Sequence, residues 1–276
     1  DRVGNTTVKP FGTDESKAKR IVACVILCII VAAVLLPILS FIPVALSKNY
    51  PLDKSFSLSQ FSYVMGSKNG LEYLSHSLFV SVAVALVGTL FAMLCAYMTA
   101  RNASPSLRIL HLLSITSLAI PGIVLGLAYV LFFKASFIYG TFAIIILVNI
   151  VHFFASPYLM IYNSLRKLPP ELEAVGATLG IGKVRLLRDV IIPQTAGTLC
   201  EMFAYFFINS MMTISAISFL TNYKTEMFSL MLPQFDASQT SLAPPAIVAI
   251  IILFANLIMK GIIGLLKSKL RRPESR

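Results

Sequence analysis

The sequence contains no tryptophan, and only 13% of its 276 residues carry a charge. Its three histidines are scattered, and its four cysteines lie inside apolar stretches, without the spacing of a metal site or a disulfide set. The Gly-x-x-x-x-Gly-Lys-Ser/Thr loop that binds nucleotide phosphates does not occur. These absences argue against a metal site, a resident cofactor and ATP binding of that kind. We therefore expect that the chain itself is not an enzyme.

Apolar residues dominate what is present. They make up 57% of the chain, and the mean hydropathy of +0.82 is far above that of a soluble domain. A membrane-spanning helix needs roughly 20 mostly apolar residues. Six stretches reach that length: about 21–46, 74–100, 109–133, 137–162, 195–220 and 242–266. The predicted fold class is an all-α polytopic membrane protein with six transmembrane helices. We expect Pro37 and Pro43 to kink or end the first span, and Pro121-Gly122 to interrupt the third.

Basic residues set the expected orientation. Six spans place both termini on one side, and the side richer in lysine and arginine faces the cytosol. Of the 23 lysines and arginines, only Lys48, Lys54, Lys68, Lys134 and Lys224 fall on the opposite side. We predict a multi-pass inner-membrane protein with both termini cytoplasmic: a leader or linker at residues 1–20, a six-span domain at 21–266 and a basic tail at 267–276. Because the basic residues lie at the ends of spans, they favour membrane lipid over nucleic acid as a partner.

One segment between the fourth and fifth spans is not apolar. Residues 169–193, here called the charged segment, carry six charges in 25 residues. Pro169 and Pro170 suit a helix start, and Leu172, Val175 and Leu179 lie on one helical face. Gly180 and Gly182 break this helix, and Pro193 should end a second short turn. The pattern predicts a compact helix–turn–helix at a membrane surface within a loop at 163–193. The alternative is a plain connector whose positive charge only sets topology.

The charged segment resembles a known loop. Gly180, nine further residues and then Val190-Ile191-Ile192-Pro193 resemble the cytoplasmic loop of MetI-like permeases, the inner-membrane subunits of binding-protein-dependent ABC importers. That loop reads Glu-Ala-Ala, three residues, Gly, nine residues, Ile-x-Leu-Pro. With Gly180 in register, the triplet falls on Ala174, Val175 and Gly176, and Glu173 is the nearest carboxylate.

The resemblance implies a coupling helix that docks in a cleft of a dimer of ATP-binding subunits. It also implies an extracytoplasmic solute-binding protein and a second permease half or subunit as partners. The residues that it assigns to coupling are Glu171, Glu173, Ala174, Gly176, Gly180, Lys183, Arg185 and Pro193.

Polar residues inside the spans are the candidates for a translocation path, since they are costly in lipid unless they face protein or water. We predict a path along Asn209, Ser210, Met212, Thr213, Pro121 and Gly122. The alternative is that small polar residues let helices pack closely. Asn149 and His152 share a face of the fourth span, where a helix–helix hydrogen bond is the simpler role.

Residues 201–215 resemble the permeases of the 2-aminoethylphosphonate and ferric-iron importer group. This resemblance implies an ATP-driven import permease for a small solute, with 2-aminoethylphosphonate first and ferric iron next. It also implies the C-terminal half of a fused twelve-span permease. An ion-coupled secondary transporter is the alternative function, although the spans lack the paired carboxylates that a proton-coupled carrier often has. A non-transporting membrane scaffold is a third.

Overall fold

The computed structural model describes residues 16–102, 104–238 and 241–270. The leader at 1–15 and the end of the tail at 271–276 lie outside the described residues. The fold is helical apart from one antiparallel hairpin of β1 Ser47–Asn49 and β2 Asp53–Phe56, which the sequence analysis did not predict. The helices are α1 Lys17–Ala45, α2 Ser59–Ser62, α3 Gly70–Arg101, α4 Pro105–Thr116, α5 Gly122–Phe133, α6 Phe142–Phe153, α7 Ala155–Leu165, α8 Leu172–Thr178, α9 Lys183–Leu186, α10 Ile192–Met212, α11 Met231–Ser238 and α12 Ala243–Leu270.

Within the described part of the chain, four helical segments are long and apolar enough to cross a membrane alone. They are α1, α3, α12 and the continuous helix Lys183–Met212. Two bent pairs, α4 with α5 and α6 with α7, raise the number to six if each pair forms one span. Each predicted span therefore contains helix, but the third and fourth are broken and count as spans only if each bent pair crosses once.

Prolines explain both breaks. After α4, a 3₁₀ turn leads to Ile120, which is extended (φ −103°, ψ 116°), and α5 then departs at 112°. Ile120 precedes Pro121, and the residue before a proline disfavours helical geometry. Between α6 and α7 the chain bends by 55°. Pro157 has no N–H to donate to the carbonyl of Phe153, so the helical hydrogen-bond ladder is interrupted there.

Other prolines do not end their helices, and two predictions were wrong. The helix that begins at Lys183 passes through Pro193, because a wider π-turn at Leu187–Ile191 precedes the proline and relieves the clash of its ring with the preceding carbonyls. The same helix ends at Met212 rather than at Leu220, and the next residue, Thr213, is extended.

The terminal spans also differ from their predicted limits. Helix α1 continues through Pro37 and Pro43 and ends at Ala45. It packs along α12 and is exposed over almost its whole length. Helix α12 begins at Ala243 and runs to Leu270, past the predicted end of the six-span domain at 266.

Helix α3 lies at the centre of the bundle. It packs against α4, α6, α7 and α10. The largest cluster of buried side chains surrounds it and includes the fully buried Val84, Tyr158 and Phe206. Because α3 contacts four other helices, a displacement at either of its ends reaches most of the bundle.

Candidate functional site

The two short helices of the charged segment are joined by a Schellman turn. Gly180 has φ +70°, a left-handed conformation that glycine adopts without strain. The N–H of Ile181 donates to the carbonyl of Gly176 at 2.8 Å, and that of Gly180 donates to the carbonyl of Ala177 at 3.1 Å. These two bonds cap α8 and turn the chain towards α9. The position of Gly180 in the motif therefore has a local structural cause.

The charged segment exposes apolar as well as charged side chains. Gly176 is buried and faces Leu186, so the inner contact is small. Val175 and Leu179, two residues of the predicted apolar helical face, are 52% and 69% exposed, and Val184 is 81% exposed. The predicted coupling residues Glu171, Ala174, Gly180, Lys183, Arg185 and Pro193 are exposed as well. The segment presents a mixed apolar and basic surface.

An ion pair joins the charged segment to α3. Arg101 is the last residue of α3, and its side chain is only 6% exposed. Its Nε and Nη2 donate to the two carboxylate oxygens of Glu173 at 2.7 and 2.5 Å, so the pair is bidentate. The guanidinium also donates to the backbone carbonyls of Leu165, Leu168 and Pro169 at 3.4, 3.2 and 2.7 Å. One side chain thus ties the end of α3 to the end of α7 and to α8.

This ion pair gives Glu173 a partner within the same chain. The hydrogen bonds from Arg101 hold the pKa of the Glu173 carboxyl below its ordinary value, so it is ionised at neutral pH. The family's acidic position falls on Ala174, which is exposed and carries no charge. In this chain the carboxylate therefore lies one residue earlier and is directed towards α3.

A second charged cluster joins α10 to α12. Glu201 accepts hydrogen bonds from Lys260 at 3.1 Å and from Lys267 at 2.5 Å. A cavity of about 530 Å³ lies beside it, lined by Met160, Pro193, Gln194, Thr198, Glu201 and Lys267. The one carboxylate within the fifth span is therefore neutralised by two lysines of the last helix.

Three helix breaks meet inside the bundle. The hydroxyl of Ser117, in the turn after α4, accepts a hydrogen bond from the N–H of Ala155, where α7 begins. A Cβ added to Gly122 would lie 2.6 Å from Oγ of Ser215 and 3.0 Å from Nε2 of His152. The start of α5 thus touches the end of α6 and the irregular stretch after α10. We call this place the helix-break junction and define it by Ser117, Gly122, His152, Ala155 and Ser215.

The helix-break junction lies far from one end of α6 and is only partly covered. The twelve residues of α6 rise about 18 Å, and the junction is at the C-terminal end of that helix. Pro121 and Ser215 are nevertheless exposed, and Nδ1 of His152 is buried without a hydrogen-bond partner among the described residues. Irregular backbone at membrane depth is tolerated only beside protein or water. The exposed side of the junction is therefore a candidate for such a contact.

The predicted path residues of the fifth span do not share one environment. Asn209 donates from Nδ2 to the carbonyl of Tyr205 within its own helix at 2.8 Å. Ser210 and Thr213 are buried, and the Ser210 hydroxyl has no partner among the described residues. Met212 is 55% exposed. Gly122 lies at the helix-break junction. Asn209, Ser210 and Met212 lie in the last turn of α10, and Thr213 follows it.

Comparison with known proteins places the chain in a family. The family model described as "Binding-protein-dependent transport system inner membrane component" matches residues 88–272, from the middle of α3 onwards. The chain belongs to this family. It is a permease of the ABC importer class, and this confirms the family that the charged segment indicated.

Curated relatives transport different solutes. The permease is 26% identical to the sulfate transport system permease protein CysT of Salmonella typhimurium. The alignment extends over 215 residues and covers 71% of this chain and 76% of that one. It is 24% identical to the ferric transport system permease protein FbpB of Actinobacillus pleuropneumoniae, in an alignment of 182 residues that covers 64% of this chain. The permease spans only 26% of the length of that ferric relative.

Solved structures share the fold. A bacterial ABC transporter involved in import of the acidic polysaccharide alginate matches with a TM-score of 0.70 at 14% identity, over 96% of this chain and 100% of that one. The MetNI methionine ABC transporter, in inward-facing conformations, matches with a TM-score of 0.58 at 13% identity, over 73% of this chain and 98% of that one. The predicted MetI-like permease fold is confirmed.

Sequence reasoning did not single out several residues of the permease that the structure brings together. Arg101 was only one of the basic residues assigned to the cytosolic side, although its position four residues before Pro105 marks a helix end. Ser117 and Ser215 carry no signal that separates them from the other small polar residues of the spans. Their roles depend on which helices meet, and no local pattern encodes that.

Proposed function

We propose that the permease is the transmembrane subunit of an ATP-driven importer, with six spans, both termini in the cytosol and the charged segment docked on an ATP-binding subunit. The observation that carries this proposal is the bidentate link from Glu173 on the exposed segment to Arg101 at the end of the central helix α3. Through this link, a movement of α8 acts directly on the helix that contacts most of the bundle.

The exposed surface of the charged segment supports docking. Val175, Leu179 and Val184 are apolar and exposed, and Lys183 and Arg185 lie near them in sequence. An apolar centre with charged residues around it is the usual composition of a protein–protein interface. A cleft in an ATP-binding subunit would bury these side chains and receive the basic groups at its rim.

The helix-break junction supports a path on the exposed face of the bundle. A second permease half or subunit would cover this face, and the solute would pass between the two. Pro121 and Gly122 lie where α5 begins, and Asn209, Ser210, Met212 and Thr213 continue along the end of α10. A solute-binding protein would deliver its cargo at the outer mouth, beyond α5 and α6.

The candidate substrates include both anions and a metal ion. The sequence resemblance favours 2-aminoethylphosphonate and then ferric iron. The relatives are named for sulfate and for ferric transport. We propose 2-aminoethylphosphonate as the first substrate to test, with sulfate and ferric citrate beside it.

Co-purification tests the docking surface. Leu179→Arg places a charge on the exposed apolar face. Leu52→Arg changes another exposed leucine, in the turn of the β-hairpin on the opposite side of the predicted membrane. We expect the ATP-binding subunit to be lost from mild-detergent preparations of Leu179→Arg and retained with Leu52→Arg. Equal recovery of the subunit with both variants would contradict the docking assignment.

Vesicle uptake tests the energy source. In proteoliposomes of the complete importer with its binding protein, uptake of the labelled probes should require ATP inside the vesicle and should persist when ionophores collapse the ion gradients. Uptake that follows an ion gradient and ignores ATP would instead identify a secondary transporter.

A further inference from the structure

We propose that the solute crossing the helix-break junction is an oxyanion of the phosphonate or sulfate type rather than a free ferric ion. This inference rests on the proposed transport function and narrows its substrate. The carrying observation is that the helices forming the junction contain no acidic residue and place neutral hydrogen-bonding groups where they break.

The distribution of carboxylates is the first step. No aspartate or glutamate occurs in residues 105–165, which form α4 to α7, or in residues 202–225, which follow Glu201. Glu201 itself is held by two lysines. A cation that passes the junction would therefore meet no negative side chain from the four helices and the stretch after α10 that build it.

Most of the acidic residues nearest in sequence are already paired. Glu173 is bound by Arg101. Asp189 lies 3.4 Å from the guanidinium of Arg185 and 4.0 Å from that of Arg188. Three of the four carboxylates between residues 74 and 225, those of Glu173, Asp189 and Glu201, thus have a cationic partner in the same chain. The fourth, Glu171, is exposed in the charged segment and lies outside the helices that form the junction.

The groups at the junction suit an anion. Nε2 of His152 and the hydroxyl of Ser215 both face Gly122, and Ser215 is exposed. Nδ1 of His152 has no hydrogen-bond partner among the described residues. A histidine N–H and a serine O–H are donors, and donors shorten and strengthen their hydrogen bonds when the acceptor is an oxyanion.

The same groups do not suit a bare ferric ion. A highly charged cation loses hydration in a narrow path and requires negatively charged oxygen ligands to compensate. No group of three or more histidine, cysteine, aspartate or glutamate side chains within residues 16–102, 104–238 and 241–270 could hold a metal ion. A phosphonate or sulfate group, in contrast, needs only donors and the absence of repelling carboxylates.

Charge at the junction can be changed without changing side-chain shape. Ser215→Asp and Ser215→Asn introduce side chains of nearly the same size that differ by one negative charge. His152→Glu and His152→Gln form a second such pair at a second position. Ser75→Asp and Ser75→Asn form the control pair, because Ser75 is exposed in the first turns of α3, where its hydroxyl donates to the carbonyl of Glu72.

The experiment measures uptake of radiolabelled 2-aminoethylphosphonate, sulfate and ferric citrate by proteoliposomes of the complete importer. We expect Ser215→Asp to transport the anion at least tenfold more slowly than Ser215→Asn at low substrate concentration. His152→Glu should likewise be slower than His152→Gln, and the two Ser75 variants should be equal. The amount of co-purified ATP-binding subunit is measured for every variant to check assembly. If a Ser215 variant does not assemble, the comparison of His152→Glu with His152→Gln decides the test.

Two results separate the possible failures. If the wild-type importer takes up solute without ATP, the proposed function fails, whatever the variants do. If uptake requires ATP but the acidic variant of either pair equals or exceeds its amide partner, or ferric iron is the only probe carried, the anion inference is wrong and the importer assignment stands.

Discussion

Removing the side chain of Arg101 should release the charged segment from the bundle. Arg101→Met leaves the carboxylate of Glu173, which is 26% exposed, and three backbone carbonyls without their donor. Breaking a buried ion pair costs about 3–5 kcal/mol, and the partial exposure of Glu173 places this one near 3 kcal/mol. Glu173→Gln keeps the shape and one acceptor, so we expect a smaller loss of about 1–2 kcal/mol.

Hydrogen exchange measures this loss locally. Since each 1.4 kcal/mol changes an equilibrium constant tenfold, the amides of α8 should exchange roughly a hundredfold faster in Arg101→Met and about tenfold faster in Glu173→Gln. Arg166→Met is the matched control, because Arg166 is exposed at the end of α7 and stacks on Tyr162 at 5.8 Å. Unchanged protection of α8 in Arg101→Met would refute the reasoning.

Three further predictions concern local geometry and pH. Gly180→Ala places a Cβ on a left-handed residue and should destabilise the α8–α9 turn by about 1 kcal/mol. Gly182→Ala is the control, because Gly182 has φ −65° and no atom within 4 Å of an added Cβ. Limited proteolysis should cut the turn faster in Gly180→Ala than in Gly182→Ala. Gly126→Ala would bring a Cβ within 2.6 Å of a backbone carbonyl and should lower the Tm in detergent, while Gly264→Ala, with nothing within 4 Å, should not. Because the pKa of Glu173 is lowered from 4.5 in the folded chain, the contribution of its ion pair is complete above that pH and is lost as the pH falls through the folded pKa. The difference in Tm between wild type and Glu173→Gln should therefore shrink in acid, and a constant difference down to about pH 3 would contradict this.

The approximate positions of the long apolar helices could be predicted because a membrane span needs about 20 apolar residues, but the behaviour of individual prolines could not. Pro121 interrupts its helix as expected, and Pro157 also breaks one. Pro37 and Pro193 do not. The difference for Pro193 is a π-turn in the preceding residues, and its formation depends on packing that lies outside any local pattern.

The candidate site was partly predictable for a similar reason. The motif around Gly180 could be read because its spacing reflects one local turn. The partner of Glu173 could not, because Arg101 is 72 residues earlier and becomes its neighbour only when α3 packs beside α7. Helical spacing predicts which apolar side chains of α8 lie together, but it does not show what that face contacts.

The unbroken helix from Lys183 to Met212 has a consequence for how force could cross the membrane. Its 30 residues form a stiff rod of about 45 Å, with one tip inside the charged segment and the other near Ser215. If the rod tilts by about 10° around its Lys183 end, its far end sweeps about 8 Å, a distance comparable to the size of a small solute. A proline inside a helix often bends it, but here the π-turn precedes Pro193 and the helix continues, so a small change of its angle at the charged segment becomes a shift of several ångströms near Ser215.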